Sequence, residues 1–210
     1  MNIKMILVGP MPTNCYIVYK DDSKSCIIID PGYDAYKIKK FIDDNNLEPK
    51  AIVLTHGHYD HISAINNVRE LYDIPVYSDK NEVELIKDPK LNLSINTDMS
   101  VCEHVDIIMD DYQEVIIDDI KFINISTPGH TAGGCCLYFE EDKFLISGDT
   151  LFNGTIGRTD LPTGSYDELV SSVNKKLMIL PEDVIVYPGH GYRTKIGYEK
   201  SSNPYVIKED

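Results

Sequence analysis

One short stretch of the chain, residues 55–61 (THGHYDH), holds three of the six histidines and an aspartate. Neutral imidazole and carboxylate are good ligands for zinc, iron and manganese. The stretch follows an apolar run typical of a strand, so His56 and His58 are expected to aim at one ion as the strand ends. Asp60 and His61 fall in the next turn and can face a second ion nearby. The spacing therefore predicts metal binding.

Three more residues share this setting at the ends of apolar runs. His130 ends STPGH, His190 lies in YPGHG, and Asp149 lies in ISGDT beside a glycine that lets the backbone come close to a site. Asp30, in IIIDPGY, is expected to orient a ligand or a loop by hydrogen bonds. His104 has no such context and is predicted to be an ordinary surface or core residue.

Seven candidate ligands are too many for one tetrahedral ion and suit two divalent ions that share a bridging carboxylate. Two such ions, the carboxylates of Asp60 and Asp149 and one hydroxide sum to a charge of about +1, so coordinated water should ionise near neutral pH. The expected chemistry is hydrolysis by a metal-bound hydroxide, with Asp60 a ligand that can also accept a proton. The motifs contain no strong general acid, which favours a leaving group such as a thiolate, with a pKa of about 8.5, over an amine.

Strands and helices must position these residues. Short β-branched or aromatic runs, several of them apolar at consecutive positions, predict strands covered on both faces. The predicted strands are 15–19, 26–29, 51–54, 75–77, 114–117, 120–126, 135–139, 144–147 and 184–187. Apolar residues at helical spacing predict helices over 38–42, 62–71 and 169–180, and a shorter helix covers 82–87. Ser165 and Glu168 form a capping-box pattern before the last of the spaced helices.

A weak internal repeat connects the two halves of the chain. Residues 14–32 and 134–150 both read as strand, acidic turn and apolar strand ending near an aspartate, and each half then runs through a helix to a strand that ends near a histidine. If the halves fold alike, Asp30 matches Asp149 and His56 matches His190. The histidine and aspartate clusters would then converge at one rim.

Composition limits the class of protein. A length of 210 residues and a hydrophobic fraction of 42% predict one globular domain over residues 1–210. A net charge of −14 repels phosphate backbones and anionic membranes, so we expect neither nucleic acid nor membrane as a partner. A small-molecule substrate is expected, and the oligomeric state stays open, with a homodimer as one option.

The cysteines and the amino terminus bear on location. The chain has five cysteines, and none forms a CxxC pair near a histidine-rich motif, so a disulfide framework is not expected. Four of the five lie in predicted strands and are expected to be reduced, small apolar residues. Residues 1–10 lack a secretory apolar segment, and no run of about 18 apolar residues occurs. We therefore expect a cytoplasmic protein.

The motifs resemble those of the metallo-β-lactamase superfamily, whose pattern is an aspartate after the second strand, then HxHxDH, a histidine, an aspartate and a last histidine. All five match here, at Asp30, residues 56–61, His130, Asp149 and His190. The resemblance implies an α/β fold, a four-layer αβ/βα sandwich of two mixed β-sheets flanked by helices. It also implies a first ion on His56, His58 and His130, a second on Asp60, His61 and His190, and Asp149 bridging them. Zinc is the expected metal, with iron or manganese as alternatives.

Within the superfamily, segments such as PMPTNCYIV, STPGHTAGG and IGRTDLPTGS most resemble the short glyoxalase II-like, or hydroxyacylglutathione hydrolase-like, group. That group implies hydrolysis of thioesters. Full-length glyoxalase II carries a C-terminal helical domain that holds glutathione, whereas about twenty residues follow PGHG here, so no separate domain of that kind is expected and the thiol carrier stays open. Lactamases of the best-known subclass have cysteine where Asp149 stands, so β-lactam hydrolysis is not expected.

Two alternatives share the ligand pattern. Persulfide dioxygenases use the same positions with a single iron, and other metal-dependent hydrolases of this superfamily cleave different esters or phosphodiesters. The net charge argues against a nuclease. Three residues outside the ligand set are candidates for binding an anionic substrate: Arg158, which shortly follows Asp149, and Tyr192 and Arg193, just after His190.

Overall fold

The structure is a computed structural model that describes residues 1–207, which form fourteen strands and six α-helices. The strands are β1 (Asn2–Val8), β2 (Thr13–Tyr19), β3 (Ser25–Ile29), β4 (Glu48–Val53), β5 (Val76–Asp79), β6 (Ile107–Met109), β7 (Glu114–Ile117), β8 (Ile120–Ser126), β9 (Cys135–Phe139), β10 (Phe144–Gly148), β11 (Leu151–Phe152), β12 (Thr155–Ile156), β13 (Ile185–Pro188) and β14 (Thr194–Lys195). The helices are α1 (Ala35–Asp44), α2 (Tyr59–Ile62), α3 (Ile65–Tyr72), α4 (Val83–Lys87), α5 (Tyr166–Ser172) and α6 (Ile196–Ser202). A 3₁₀ turn covers Ser94–Asn96, and a π-type turn over Val173–Leu177 continues α5.

Twelve of the strands form two mixed sheets. The first has the order β1-β2-β3-β4-β5-β6, antiparallel up to β3 and parallel from β3 to β6. The second has the order β14-β13-β10-β9-β8-β7, in which only β10 and β13 run parallel. The remaining strands, β11 and β12, form a small hairpin.

Consecutive apolar residues within one strand serve two different cores. In β3, Ile27 and Ile29 pack between the two sheets, against Leu137 and Phe139 of the second sheet, whereas Ile28 points to the opposite face. Successive side chains of a strand alternate between faces, so a run apolar at every position requires cover on both sides. Each fully buried isoleucine contributes roughly 1.5–3 kcal/mol to the free energy of unfolding.

Helices supply the outer cover. Ile38 and Val68, from α1 and α3, pack on the outer face of the first sheet, and Leu169 and Ile196, from α5 and α6, pack on that of the second. The layers run helix, sheet, sheet, helix. The predicted αβ/βα sandwich is therefore confirmed.

Each predicted strand overlaps an observed one, whereas β1, β6, β11, β12 and β14 were not predicted. Four of these have two or three residues, too few to show a period, and β1 is an edge strand whose Met5 and Leu7 are exposed. The predicted helix over 62–71 is interrupted between α2 and α3, where the Ala64 N–H donates to the carbonyl oxygen of Pro31.

Half of the predicted capping box forms. Ser165 Oγ accepts the N–H of Glu168 at 3.4 Å, but the Ser165 N–H donates to the Gly129 carbonyl oxygen and is not free for the glutamate. All five cysteines are free, and Cys15, Cys26, Cys135 and Cys136 are buried in strands, as predicted.

Strand order agrees with the predicted repeat. In the first half, β2 pairs antiparallel with β3 and β3 parallel with β4; in the second, β9 pairs antiparallel with β10 and β10 parallel with β13. Asp30 and Asp149 each directly follow the middle strand of their half, and His56 and His190 follow the last. The carboxyl ends of these parallel strands meet at one rim of the sandwich.

Within residues 1–207, no helix combines the length and apolar character needed to cross a membrane.

Candidate metal centre

All seven predicted ligands gather at this rim. His56 and His58 lie in the loop after β4, and Asp60 and His61 lie in α2. His130 comes from the loop between β8 and β9, while Asp149 and His190 follow β10 and β13. Six of the seven fall into two sets of three, which we call the first triad (His56, His58, His130) and the second triad (Asp60, His61, His190). Donor atoms of Asp30, His56 and His61 also lie within 4.8 Å of one another.

The first triad consists of three buried imidazoles. One donor atom from each residue lies within 4.8 Å of the others, and His58 Nδ1 is 3.0 Å from His130 Nε2. The three rings are mutually edge-on, with centroids 4.7–4.9 Å apart. This packing turns ring nitrogens, not ring faces, toward a common point.

The second triad combines a carboxylate with two imidazoles. His190 Nε2 lies 3.2 Å from Asp60 Oδ2 and 3.3 Å from His61 Nε2. His61 is fully buried, whereas a quarter of the His190 side chain is exposed. The second triad therefore forms the side of the centre that solvent reaches.

Asp149 lies between the triads. Its Oδ2 is 3.6 Å from both His130 Nε2 and His190 Nε2, and its Oδ1 is 3.5 Å from His61 Nε2. Asp149 Oδ1 and His56 Nε2 are buried and have no hydrogen-bond partner among the described residues. Divalent cations would satisfy these lone pairs, which otherwise carry the cost of burial without a partner. The donor set thus fits two cations with Asp149 as the shared ligand.

Backbone carbonyls fix the orientation of two ligand rings. The Arg158 oxygen lies 2.8 Å from His130 Nδ1, and the Pro12 oxygen lies 2.8 Å from His190 Nδ1. A carbonyl oxygen can only accept, so Nδ1 carries the proton and the Nε2 lone pair of each ring faces the centre.

Asp30 fixes a third ring. Its Oδ2 lies 2.9 Å from His61 Nδ1, and the carboxylate also accepts the N–H and the hydroxyl of Thr55. The Asp30 backbone has the left-handed conformation, with φ of 52°, which turns the chain sharply after β3. This is the orienting position that the sequence predicts for Asp30, and the contact leaves His61 Nε2 directed at the centre.

The segment Pro12–Asn14, at the start of β2, supports the second triad. Besides the Pro12 carbonyl, Thr13 Oγ1 donates to Asp60 Oδ2 at 3.2 Å. Asn14 binds the loop that carries His190. Its backbone N–H donates to the carbonyl oxygen of Gly189, and its side-chain amide donates to the carbonyl oxygens of Pro188 and Gly191. In the sequence this segment belongs to a family motif, and no role was predicted for its residues.

The protonation preferences of the two triads differ. Burial lowers the pKa of His58 to about 3, with a further contribution from His130, and burial together with His61 lowers the pKa of His56 well below its usual value. Burial also acts to lower the pKa of His61, but the carboxylates of Asp60 and Asp149 outweigh it and raise that pKa to about 10. In the metal-free protein, the second triad therefore retains a proton that His56 and His58 lack.

Asp60 is ionised in this setting. Although burial acts to raise its pKa, His61 and His190 hold the pKa of the carboxyl well below its usual range. The same interaction raises the pKa of His190, against the effect of burial.

A cleft of about 280 Å³ opens above the centre. Besides ligands from both triads and Asp149, it is lined by Met11, Tyr59, Leu93, Asn96, Thr97, Arg158 and Leu161. The Arg158 guanidinium forms two 2.7 Å hydrogen bonds with the carboxylate of Asp160 at the exposed rim. Its carbonyl oxygen, which holds His130, is the part of Arg158 that lies against the centre.

Tyr192 and Arg193 lie elsewhere. Tyr192 is 88% exposed, and Arg193 lines a separate surface depression beside β13 and β14. The described residues that line the cleft include neither of them, so a substrate-binding role for this pair stays a prediction. His104 is exposed, lies 3.8 Å from Asp106 and belongs to neither triad, as expected.

The chain is similar to known proteins over nearly its whole length. The profile of the metallo-beta-lactamase superfamily matches residues 8–190. A probable metallo-hydrolase, YqgX of Bacillus subtilis, is 38% identical, and the hydroxyacylglutathione hydrolase GloC of Haemophilus influenzae is 34% identical; each alignment covers 98% of both chains.

Two crystal structures are also similar. BLEG-1, described as a B3 metallo-beta-lactamase, has a TM-score of 0.93 at 39% identity over 98% of this chain and 99% of its own. TTHA1623 in a di-iron-bound form has a TM-score of 0.86 at 31% identity over 97% of this chain and all of its own.

The match thus extends through both sheets and includes the strand ends that carry all seven ligands. On this basis, the chain belongs to the metallo-beta-lactamase superfamily and is a metal-dependent hydrolase.

Proposed function

We propose that this protein hydrolyses a small-molecule thioester of the hydroxyacylglutathione type at a centre of two divalent ions, with zinc expected and iron or manganese as alternatives. The observation that carries the proposal is the composition of the cleft. Among the described lining residues, the only carboxyl groups are Asp60 and Asp149, and both belong to the centre. The 34% identity to a hydroxyacylglutathione hydrolase over 98% of both chains supports the same substrate class.

The residues divide the work between binding and proton transfer. When bound, two divalent ions would lower the pKa of coordinated water and polarise the substrate carbonyl. The triads would hold the ions, with Asp149 lying beside histidines of both triads. Asp60, which accepts a hydrogen bond from Thr13, is the candidate acceptor for the proton of the attacking water.

The kind of leaving group can be inferred from the lack of a general acid among the described lining residues that are not metal ligands. Apart from the metal ligands themselves, the titratable groups along its described walls are Tyr59 and Arg158, which are too weakly acidic to protonate a leaving group near neutral pH. An amine must be protonated as it leaves, whereas a thiolate, with a pKa of about 8.5, departs as the anion. A thioester therefore suits this cleft better than an amide.

A second candidate function is β-lactam hydrolysis, which the sequence argument set aside. The 39% identity to BLEG-1, described as a B3 metallo-beta-lactamase, favours testing it. The absence of cysteine at position 149 is therefore an insufficient ground for excluding a lactam substrate.

One experiment separates the candidates. The purified protein is analysed for metal content and assayed with S-lactoylglutathione, a bulkier acyl thioester, a chromogenic β-lactam, and a persulfide with oxygen uptake recorded. Thioester turnover that a chelator abolishes and added zinc restores supports the proposal. Turnover of the β-lactam alone would transfer the assignment to the second candidate, and oxygen uptake with one iron per chain would indicate a dioxygenase.

Arg158 provides a test of substrate binding. If its guanidinium leaves Asp160 to bind an anionic group of the substrate, Arg158→Ala should raise KM for an anionic thioester about tenfold, since a hydrogen bond to a charged group is worth roughly 1.5–3 kcal/mol, with little change in kcat. Arg193→Ala tests the other predicted arginine, and Arg69→Ala, which removes a remote ion pair with Asp106, is the matched control. Unchanged kinetics in Arg158→Ala would limit its side chain to the ion pair with Asp160.

A cytoplasmic location is also part of the proposal. Four buried, unpaired cysteines suit a reducing compartment, and cell fractionation would test the location directly.

A further inference from the structure

Glu82, just before α4, is a buried carboxylate outside the ligand set. It is fully buried, and no lysine or arginine within residues 1–207 forms an ion pair with it. Burial raises the pKa of this group to about 7, although hydrogen bonds to its carboxylate act in the other direction. Burying a carboxyl group without a cationic partner is costly, so its contacts should explain its position.

Those contacts join two loops that are distant in sequence. Glu82 Oε1 accepts the N–H of Gly57, and Oε2 accepts the N–H of Gly133, both at 2.8 Å. Gly57 lies between His56 and His58, and Gly133 lies three residues after His130. One side chain therefore connects the two loops that together carry the whole first triad.

Close packing makes this connection tight. A Cβ at Gly133 would lie 2.2 Å from the backbone nitrogen of Glu82, and a Cβ at Gly57 would lie 2.5 Å from Ile86 Cγ1. Both loops thus rest directly on α4 and the residues just before it, with no space for a side chain. This is a physical reason for glycine between the two histidines.

The second triad has different supports. Its ring and carboxylate orientations depend on Pro12, Thr13 and Asp30, and none of these contacts Glu82. A change at Glu82 should therefore affect the two triads unequally.

We propose that Glu82 is a positioning residue of the first metal site, which holds the His56–His58 loop and the His130 loop at the separation that divalent-ion binding requires. Residues that support metal ligands typically contribute about 10- to 100-fold in metal affinity. The proposal concerns metal binding and does not depend on which substrate is hydrolysed.

The test is zinc titration of the full-length, metal-free protein against a chromogenic chelator. His58→Ala and His190→Ala identify which binding phase belongs to which triad. In Glu82→Gln the shape is preserved, but the amide NH₂ must face one of the two N–H donors. We expect first-site affinity to fall about 10- to 100-fold and second-site affinity to change less than about threefold.

Glu103→Gln is the matched control, because Glu103 is also a buried glutamate whose pKa burial raises to about 7. Among the described residues its backbone donates to Ile86 of α4, and it forms no hydrogen bond with either ligand loop. Two unchanged phases in Glu82→Gln would overturn the proposal. Equal weakening of both phases would also overturn it, because that result indicates general loss of structure.

A second variant covers the case in which Glu82→Gln does not fold. Glu82→Asp keeps the carboxylate but is one methylene shorter, so it can reach only one loop at a time. The same first-site-selective loss is expected, and equal or absent effects on the two phases would again contradict the proposal. A lack of thioester turnover in the wild type would refute the proposed substrate and leave this measurement intact.

Discussion

The two triads differ in charge and in what supports them. The first is three buried imidazoles, of which His56 and His58 favour the neutral form, supported by Glu82 and the Arg158 carbonyl. The second shares a carboxylate-rich environment with Asp30 and Asp149, and one of its rings is partly open to solvent. Two sites a few ångströms apart can thus have different proton competition and different supports, which makes them separable by experiment.

The largest effect is expected at Asp149, the residue that contacts both triads. Its carboxylate lies beside His130 of the first triad and beside His61 and His190 of the second, so Asp149→Asn should weaken both sites. We expect kcat/KM to fall more than about 100-fold, beyond the usual loss for a residue that only supports a ligand. Steady-state kinetics with metal analysis measures this.

Asp183→Asn is the control, since Asp183 is an exposed aspartate paired with Lys143. If Asp149→Asn lost only one ion and kept substantial turnover, the description of Asp149 as a shared ligand would be wrong.

The next effect concerns pH. His61, with a pKa raised to about 10, holds a proton from pH 6 to pH 8 in the metal-free protein, and a cation at the second triad must displace it. Second-site affinity should therefore rise about tenfold per pH unit over this range. His56 and His58 have lowered pKa values and are already unprotonated, so first-site affinity should change far less.

Zinc titrations at pH 6, 7 and 8, with phases assigned by the His58→Ala and His190→Ala variants, measure both slopes. Parallel slopes would mean that the electrostatic contrast between the triads is absent in solution.

A smaller effect is expected at Thr13, whose hydroxyl lies 3.1 Å from the Met11 carbonyl oxygen and 3.2 Å from Asp60 Oδ2, and so contacts only the second of the two triads. Thr13→Val removes the hydrogen bond to Asp60 and should lower second-site affinity about tenfold, without a change at the first site. The control is Thr194→Val, because the Thr194 hydroxyl also binds a carboxylate, that of Glu199, which belongs to neither triad. Glu82→Gln should thus weaken mainly the first metal site, and Thr13→Val mainly the second. A loss of first-site affinity in Thr13→Val would contradict the separate support of the two triads.

The ligand set could be predicted from the sequence because histidine is rare in this chain and several of the ligands lie close together along it. Three of six histidines lie in residues 56–61, and the remaining ligands end apolar runs, so both clustering and local context identify them. The sandwich was accessible for a related reason, since strands such as CIII are apolar at every position and need cover on both faces.

The residues that support the metal ligands could not be predicted in this way. Glu82 has no local signal, because its role depends on α4 lying beneath two glycines separated by 76 positions, which only the folded chain brings together. The role of Pro12 is carried by a carbonyl oxygen, and every residue has one. Arg158 was selected for its charge, whereas its contact with the centre is also through the backbone.

The strand order of the two halves has a mechanical consequence. Each triad takes two residues from the amino-terminal half, before β7, and one from the carboxy-terminal half, so each ion would tie the two sheets together across their seam. A ligand that binds only the native fold stabilises it by about 2.7 kcal/mol at 100 times its dissociation constant. With two such metal sites, the free energy of unfolding would depend on the cation concentration. Metal starvation would therefore make this protein more susceptible to proteolysis as well as inactive.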